Sequence, residues 1–302
     1  LSRVPLLLGV ILRLHNKGRL TEGLAIYESI IADLANELDR SKSLNRSFKI
    51  SDDHLRLEFI RFLAFEQLIR YDLTTPKQDV HRIVFGYDVL KERAKAFLRT
   101  EASQHHPRDL VADALATPLL REVSHDTFAF THLSLQEYLA ASAFSALLEK
   151  NPLEGLSVFC RAYHNPTVVE MQVLPMSLAL TGEADGLFRE IERWPESTTF
   201  AGLRLRGRTL AYSIAISDQV RTGTLDRIAK ILVKSTNEEE PYRRIILNSV
   251  NGITGGARDY LEEKIIPSLS GRSGFEDQKA AEALVSIGTS KSIEPLITTL
   301  DP

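Results

Sequence analysis

The run Phe128-Ala-Phe-Thr-His-Leu-Ser-Leu-Gln-Glu-Tyr-Leu-Ala-Ala141 joins a short strand to an apolar helix. Phe128–Thr131 carries the aromatic and β-branched side chains that favour a strand, and Leu133–Glu149 follows with helical apolar spacing. His132 stands at the junction, with Gln136 and Glu137 one turn further on. A histidine where a strand meets a helix N-terminus is well sited to meet an anion, because the helix presents its free N–H groups and positive dipole end there. Gln136 and Glu137 read as a polar helix start favoured by the dipole and are assigned no chemistry. Tyr138, Leu139 and Phe144 read as core.

Outward from this run, Leu119–Val123, a turn at Ser124-His-Asp126 and Phe128–Thr131 make the one convincing hairpin. Pro107 opens a helix over Arg108–Leu115 and Pro118 closes it. Ser51-Asp-Asp53 caps a strong helix bearing Leu55, Phe59, Phe62, Leu63 and Phe65, which Pro76 breaks off. Val80–Phe85 then leads to a helix near Tyr87–Thr100. Helices followed by a two-stranded wing give a winged-helix outline over 49–150.

At the amino-terminal end, Pro5 opens a helix with Leu6, Leu7, Val10, Ile11 and Leu14 on its apolar face. A turn at Asn16-Lys-Gly18 leads to a second helix with Leu24, Tyr27, Ile30, Ile31 and Leu34. Asp39–Lys49 is polar, basic and aperiodic, and reads as a linker. From Asn151 onward only helices are expected: Leu153–Tyr163, Val168–Leu180, Ala184–Arg193, Leu203–Ile216, Leu225–Val233, Tyr242–Val250 and Tyr260–Leu269. The last pair, Asp277–Gly288 and Ser292–Leu300, forms helix, glycine turn and helix, and resembles a HEAT repeat. Units of this size cannot bury their apolar faces alone, so they stack into a solenoid.

The expected fold is therefore mainly α: a helical domain plus a winged helix with one small β-hairpin, followed by a HEAT-like α-solenoid. The expected domains are 1–48 (end of the helical domain and linker), 49–150 (winged helix) and 151–302 (helical repeats). Leu1–Val10 reads as the start of a buried helix, and the chain stops at Asp301-Pro302, where another would begin. Both ends read as cut, as in a piece of a longer polypeptide.

Bulk properties narrow the class. Of 302 residues, 43% are apolar and 25% charged, which suits a globular protein with a sizeable core. A formal net charge of −3 gives no general attraction to nucleic acid or anionic membrane. The single cysteine, Cys160, excludes an internal disulfide or a cysteine-based zinc site and points to a reducing cytoplasm. It sits among Leu156, Val158 and Phe159 and reads as a core thiol. Apolar runs such as Val4–Leu12 are far shorter than the ~20 residues needed to span a bilayer.

Phe130–Ala141 is similar to the winged-helix signature of NACHT-type STAND signalling NTPases, F-x-H-L-S-F-Q-E-Y-L-A-A, with Leu135 where that family usually has phenylalanine. Val4-Pro5-Leu-Leu-Leu8 resembles the N-P-L-L-L that starts the family's helical domain, with Val4 in place of asparagine. The order of helical domain, winged helix and repeats also matches everything that follows the family's P-loop core. The resemblance implies that Pro5 packs against the adenine base and that His132 reaches the β-phosphate of ADP, latching a closed, inactive state. It implies ATP or ADP with magnesium in the full-length protein, none of it held tightly by this chain alone. The implied partners are an upstream P-loop domain of the same polypeptide, a protein or other ligand on the repeats, and further copies of the protein on activation. Signalling or defence, including defence against phage, is the implied setting.

The chain contains no G-x-x-x-x-G-K-[ST] and no glycine followed by lysine, so it lacks the loop that cradles phosphates. It is not expected to hydrolyse ATP by itself. His105, His106, His125, His132 and His164 show no H-E-x-x-H spacing, and no G-x-S-x-G elbow is present. Two other classes stand beside the switch. A DNA-binding winged helix would place Arg108–Leu115 in the major groove, but this helix carries one arginine against two aspartates. Lys91, Arg93, Lys95 and Arg99 are interleaved with Glu92 and Glu101 and read as a solvated face. A helical-repeat scaffold without nucleotide would instead use surfaces such as Arg204 and Arg208, which share one helical face.

Overall fold

The computed structural model describes residues 24–37, 48–50, 52–70, 84–164, 172–182, 184–193, 201–212, 216–235, 239–250, 253, 255–269, 274–288 and 290–300. Pro5, the first expected helix and the Asn16–Gly18 turn lie outside the described residues. The chain is mainly helical, with one small sheet, and its contacts divide it into two compact units, Leu1–Ser177 and Leu178–Pro302.

In the first unit, α1 (Ala25–Ala32) runs on into a π turn at Asp33–Glu37. Helix α2 (Asp53–Phe65) runs on into a π turn at Glu66–Arg70. Asp52 caps α2, its carboxylate accepting from the N–H of His54 at 2.9 Å and of Leu55 at 3.0 Å. This satisfies two of the donors that a helix start leaves free. Next come β1 (Phe85–Gly86), α3 (Tyr87–Thr100) and α4 (Pro107–Ala116), then β2 (Leu120–Ser124), β3 (Thr127–Phe130), α5 (Leu133–Lys150) and α6 (Pro152–Tyr163).

The three strands form an antiparallel sheet in the order β1-β3-β2. The expected hairpin is β2–β3, with Leu120 opposite Phe130 and Glu122 opposite Phe128, and a register shift between Glu122 and Ser124. The third strand is an addition to the two-stranded wing read from the sequence. It is two residues long, Phe85 pairing with Phe128 and Gly86 with Thr127, and two residues carry no readable period. Asp126, in the hairpin turn, takes a positive φ of 52°. Its carbonyl accepts from the N–H of Tyr87 at 3.0 Å, tying the hairpin to the first turn of α3.

Every residue of α5 from Leu135 to Ala141 is buried. Seven consecutive residues make about two turns, so the helix is covered on all faces. Helix α2, β3, α6 and α1 all pack against it. Aromatic rings carry the packing: Phe65 meets Phe144 at 5.4 Å, Phe144 meets Phe159 at 5.8 Å, and Tyr27 stacks on Tyr138 at 5.3 Å with planes 11° apart. Phe97 of α3 meets both Phe59 and Phe62 of α2 at 5.5 Å. Gly155 lets α6 approach α5 closely, since a Cβ placed there would lie 2.8 Å from the Cα of Leu148.

Helix α7 (Val173–Leu180) contains the division between the units. The second unit continues with α8 (Ala184–Arg193), α9 (Ala201–Leu210), α10 (Asp218–Lys234), α11 (Glu240–Val250), α12 (Gly255–Ile265), α13 (Phe275–Ile287) and α14 (Ile293–Leu300). Its principal packings join helices near in sequence: α8 with α9 and α10, α9 with α10 and α11, α10 with α11, α12 and α13, and α13 with α11 and α12. No strand occurs among its described residues.

Cationic side chains stitch these helices. Arg243, 1% exposed, bonds Glu240 at 3.0 Å, reaches the carbonyls of Leu232 and Lys279 at 3.5 Å, and pairs with Glu282. Buried Lys279 donates to the carbonyl of Ser235 just past α10 and lies 3.6 Å from Glu240. Arg258 donates to the carbonyls of Ile287 and Gly288 at the end of α13. Positive groups from neighbouring helices thus cover helix C-termini, where unpaired carbonyls and the negative dipole end favour them.

Replacing Gly155 with alanine sets helix propensity against sterics. Propensity alone would favour alanine by up to ~1 kcal/mol. The contact with the Leu148 backbone cannot relax by side-chain rotation, so Gly155→Ala is expected to destabilise the first unit by ~1–3 kcal/mol, read from thermal or denaturant unfolding.

Candidate functional site

His132 is the N-cap residue of α5, with extended backbone angles (φ −140°, ψ 134°) and no capping bond from its side chain. Its carbonyl accepts from the N–H of Gln136 at 3.1 Å, the first hydrogen bond of the helix. The preceding residue is fixed twice: Thr131 N–H donates to the Leu119 carbonyl at 2.9 Å, and its Oγ1 to the Pro118 carbonyl at 2.6 Å. The end of the hairpin therefore sets where His132 stands. The residue is half-buried, with its Nε2 atom shielded from solvent, while neighbouring Leu133 is exposed. Its position joins a helix start to an imidazole, two features that favour an anion. Pro5, the other residue that the family resemblance singles out, lies outside the described residues.

Gln136 and Glu137, read from the sequence as a polar helix start, are buried and bonded within the fold. They are 6% and 7% exposed. Gln136 Nε2 donates to Oε1 of Gln67 in the π turn after α2 at 2.8 Å, and Glu137 Oε1 accepts from the backbone N–H of Gln172 at 3.0 Å. The partners lie 69 and 35 residues away in sequence, so no local pattern announces them. Tyr27 and Tyr138 lie alongside. Burial raises the phenol pKa of both; Glu137 adds to the effect on Tyr27, and Glu28 adds to that on Tyr138 against an opposing pull from Arg61.

Helix α4, the helix a DNA reader would use, has its acidic side occupied by its own chain. Asp113, 3% exposed, accepts from the backbone N–H of Lys49 at 3.0 Å and of Ile50 at 2.7 Å. Lys49 Nζ bonds Asp109 at 2.9 Å. This holds the Asp109 carboxyl below the usual range, the hydrogen bond from Lys49 being the leading cause. Phe48 lies under the buried guanidinium of Arg56, 3.7 Å from the ring centre. The end of the expected linker is thus a strap seated on α2 and α4. His106 caps α4 through Nδ1, which accepts from the N–H of Arg108 at 3.2 Å.

The remaining sequence candidates fall as follows. Arg93 pairs with buried Glu66, so the α3 face is not wholly solvated. Arg204 and Arg208 are half-buried, and Arg206 between them is buried beside Glu192 at 3.3 Å. Cys160 is half-buried, a departure from the core thiol expected. No grouping of three or more histidine, cysteine or acidic residues able to hold a metal occurs among the described residues. None of the described helices is long and apolar enough to cross a membrane. Comparison of the chain with protein-family models, with curated proteins and with solved structures finds no match.

Two outcomes test this arrangement. Asparagine at 113 keeps the shape of the side chain but turns an NH2 group toward one of two N–H donors. Asp113→Asn is expected to destabilise the first unit by ~1–3 kcal/mol and to speed amide exchange at Lys49 and Ile50, measured by unfolding and hydrogen exchange. The tyrosine pair gives an alkaline signature. Its raised folded-state pKa means the unfolded chain releases protons first, so stability is complete below the ordinary tyrosine value of about 10 and falls as pH rises through the folded-state value. Unfolding measured across that range is expected to show a smaller loss in a Tyr27→Phe, Tyr138→Phe double variant.

Proposed function

We propose that this chain is the regulatory portion of a NACHT-type STAND ATPase, following its P-loop core, with a winged helix that latches the ADP-bound inactive state. The observation that carries the reading is the placement of His132. It caps a helix whose residues Leu135–Ala141 are all buried and which immediately follows a hairpin, inside the element order α2-β1-α3-α4-β2-β3 with strand order β1-β3-β2. That order of helices and strands supports the winged-helix reading. Helix α1, from the segment that would carry Pro5, packs on the same helix through Tyr27 and Tyr138.

The second unit supports a HEAT-like sensor. Its helices pack on neighbours one to three places along the chain, the local connectivity of a solenoid. In this reading an upstream P-loop core would supply ATP or ADP with magnesium, and His132 would be the residue of this chain to hold the β-phosphate, by a hydrogen bond. A ligand on the repeats favours an open state that loses this bond, exchanges nucleotide and self-associates. The coupling is the difference between the two states in contact with nucleotide. A cytoplasmic setting and a role in signalling or defence belong to the same reading.

The DNA-binding alternative is disfavoured by the strap on α4, where Asp109 and Asp113 face Lys49 and the backbone of Lys49 and Ile50. A repeat scaffold without nucleotide is the second reading, and the helix packing of the second unit accommodates it equally. The presence of a P-loop encoded upstream separates the two.

His132→Ala in the full-length protein is expected to weaken ADP retention about 10- to 100-fold, the worth of one hydrogen bond to a charged group, and to raise basal self-association. Nucleotide release after rapid dilution and size-exclusion chromatography measure both. Unchanged occupancy together with an unchanged oligomeric state rejects the latch.

A further inference from the structure

Three consecutive residues of α5 hold three different segments. Gln136 bonds Gln67 at the end of α2, Glu137 bonds the N–H of Gln172, and Tyr138 stacks on Tyr27 of α1. All three are at least nine-tenths buried. Successive helical positions point ~100° apart, so the tripeptide grips its surroundings in three directions from one turn. Gln172 is itself the head of α7, its carbonyl accepting from the N–H of Met176 at 2.9 Å. The Glu137 carboxylate therefore sits at the start of α7, where the helix dipole favours an anion.

These contacts begin one turn after His132, and the Gln136 N–H closes on the His132 carbonyl. We propose that Gln136-Glu137-Tyr138 is a three-way tether that makes the position of His132 depend on α7, with Glu137 as the positioning residue. The proposal rests on the nucleotide-latch reading for its functional consequence, but not for its mechanics. A buried carboxylate bonded to a backbone N–H has few alternative arrangements, because leaving either group without its bond is costly. Displacement of α7 then has two outcomes: the bond breaks, or the first turn of α5 follows. The second moves the histidine.

The test begins with hydrogen exchange on this chain as it stands. Glu137→Ala is expected to speed exchange about tenfold both at the start of α7 and at the Gln136 N–H, whose acceptor is the His132 carbonyl. Glu137→Gln keeps a carbonyl acceptor and is expected to restore both toward wild type. Gln172→Pro removes the donor from the other side without touching α5 and is expected to reproduce Glu137→Ala, which covers the case in which that variant does not fold. Loosening confined to α7, with Gln136 as protected as in wild type, overturns the tether.

ADP retention in the full-length protein supplies the second arm. A loss in Glu137→Ala that Glu137→Gln rescues supports the coupling to the latch. A loss in His132→Ala with none in Glu137→Ala overturns the coupling and leaves the latch standing. Retention unchanged in both variants, with exchange still coupled between α7 and Gln136, sinks the latch and supports the tether.

Discussion

A helix buried on every face has to find a partner in every direction, and α5 imposes that demand on the first unit. Its residues from Leu135 to Ala141 combine apolar side chains that need only shape with polar ones, Gln136 and Glu137, that need specific atoms. The apolar part is met by rings: Phe65, Phe144 and Phe159 form a line from α2 through α5 to α6. The polar part is met by segments brought from elsewhere in the chain, Gln67 before the helix and Gln172 after it. Close packing on one side, at Gly155, is possible because a side chain is missing there. His132 stands between this arrangement and the hairpin, its carbonyl making the first hydrogen bond of α5 and its neighbour Thr131 bonded to Leu119 and Pro118.

The second unit solves a different problem. A helix ends in carbonyls that its own turns cannot satisfy, and two helices of this unit, α10 and α13, have those ends covered by cations from neighbours. Arg243 and Lys279 serve α10, and Arg258 serves α13. The charges of Arg243 and Lys279 are balanced by Glu240 and Glu282, which keep one edge toward solvent. Such pairs add little where fully solvated. Here they are directional, because a guanidinium that reaches two carbonyls and two carboxylates fits few helix spacings.

Much of the helical architecture was legible because helix signals are local. Asp52 caps where Ser51-Asp-Asp53 is written, Pro107 opens α4, and α8 spans the expected residues Ala184–Arg193. The hairpin was legible from alternation and its turn. What escaped depends on partners far away in sequence. Phe85–Gly86 becomes a strand only because Phe128–Thr127 lies beside it. Gln136 and Glu137 read as a polar helix start because nothing local announces partners 69 and 35 residues away. Arg243 is buried by residues of α10 and α13, which composition cannot announce. The candidate site was legible at His132, as a junction, and not in the contacts that hold the junction still.

Two helices that pack against α5 each run into a π turn, Asp33–Glu37 after α1 and Glu66–Arg70 after α2. A π turn accommodates one residue more than an α turn, so side chains beyond it are rotated by ~100° relative to an uninterrupted helix. Gln67 lies within such a turn and meets Gln136 from there. The phase of the helix, and not its composition alone, determines which side chain faces α5. Relatives of this protein should therefore tolerate exchanges of residue type at Glu66–Arg70 more readily than the gain or loss of a single residue, because changing the length by one would turn a different face toward α5.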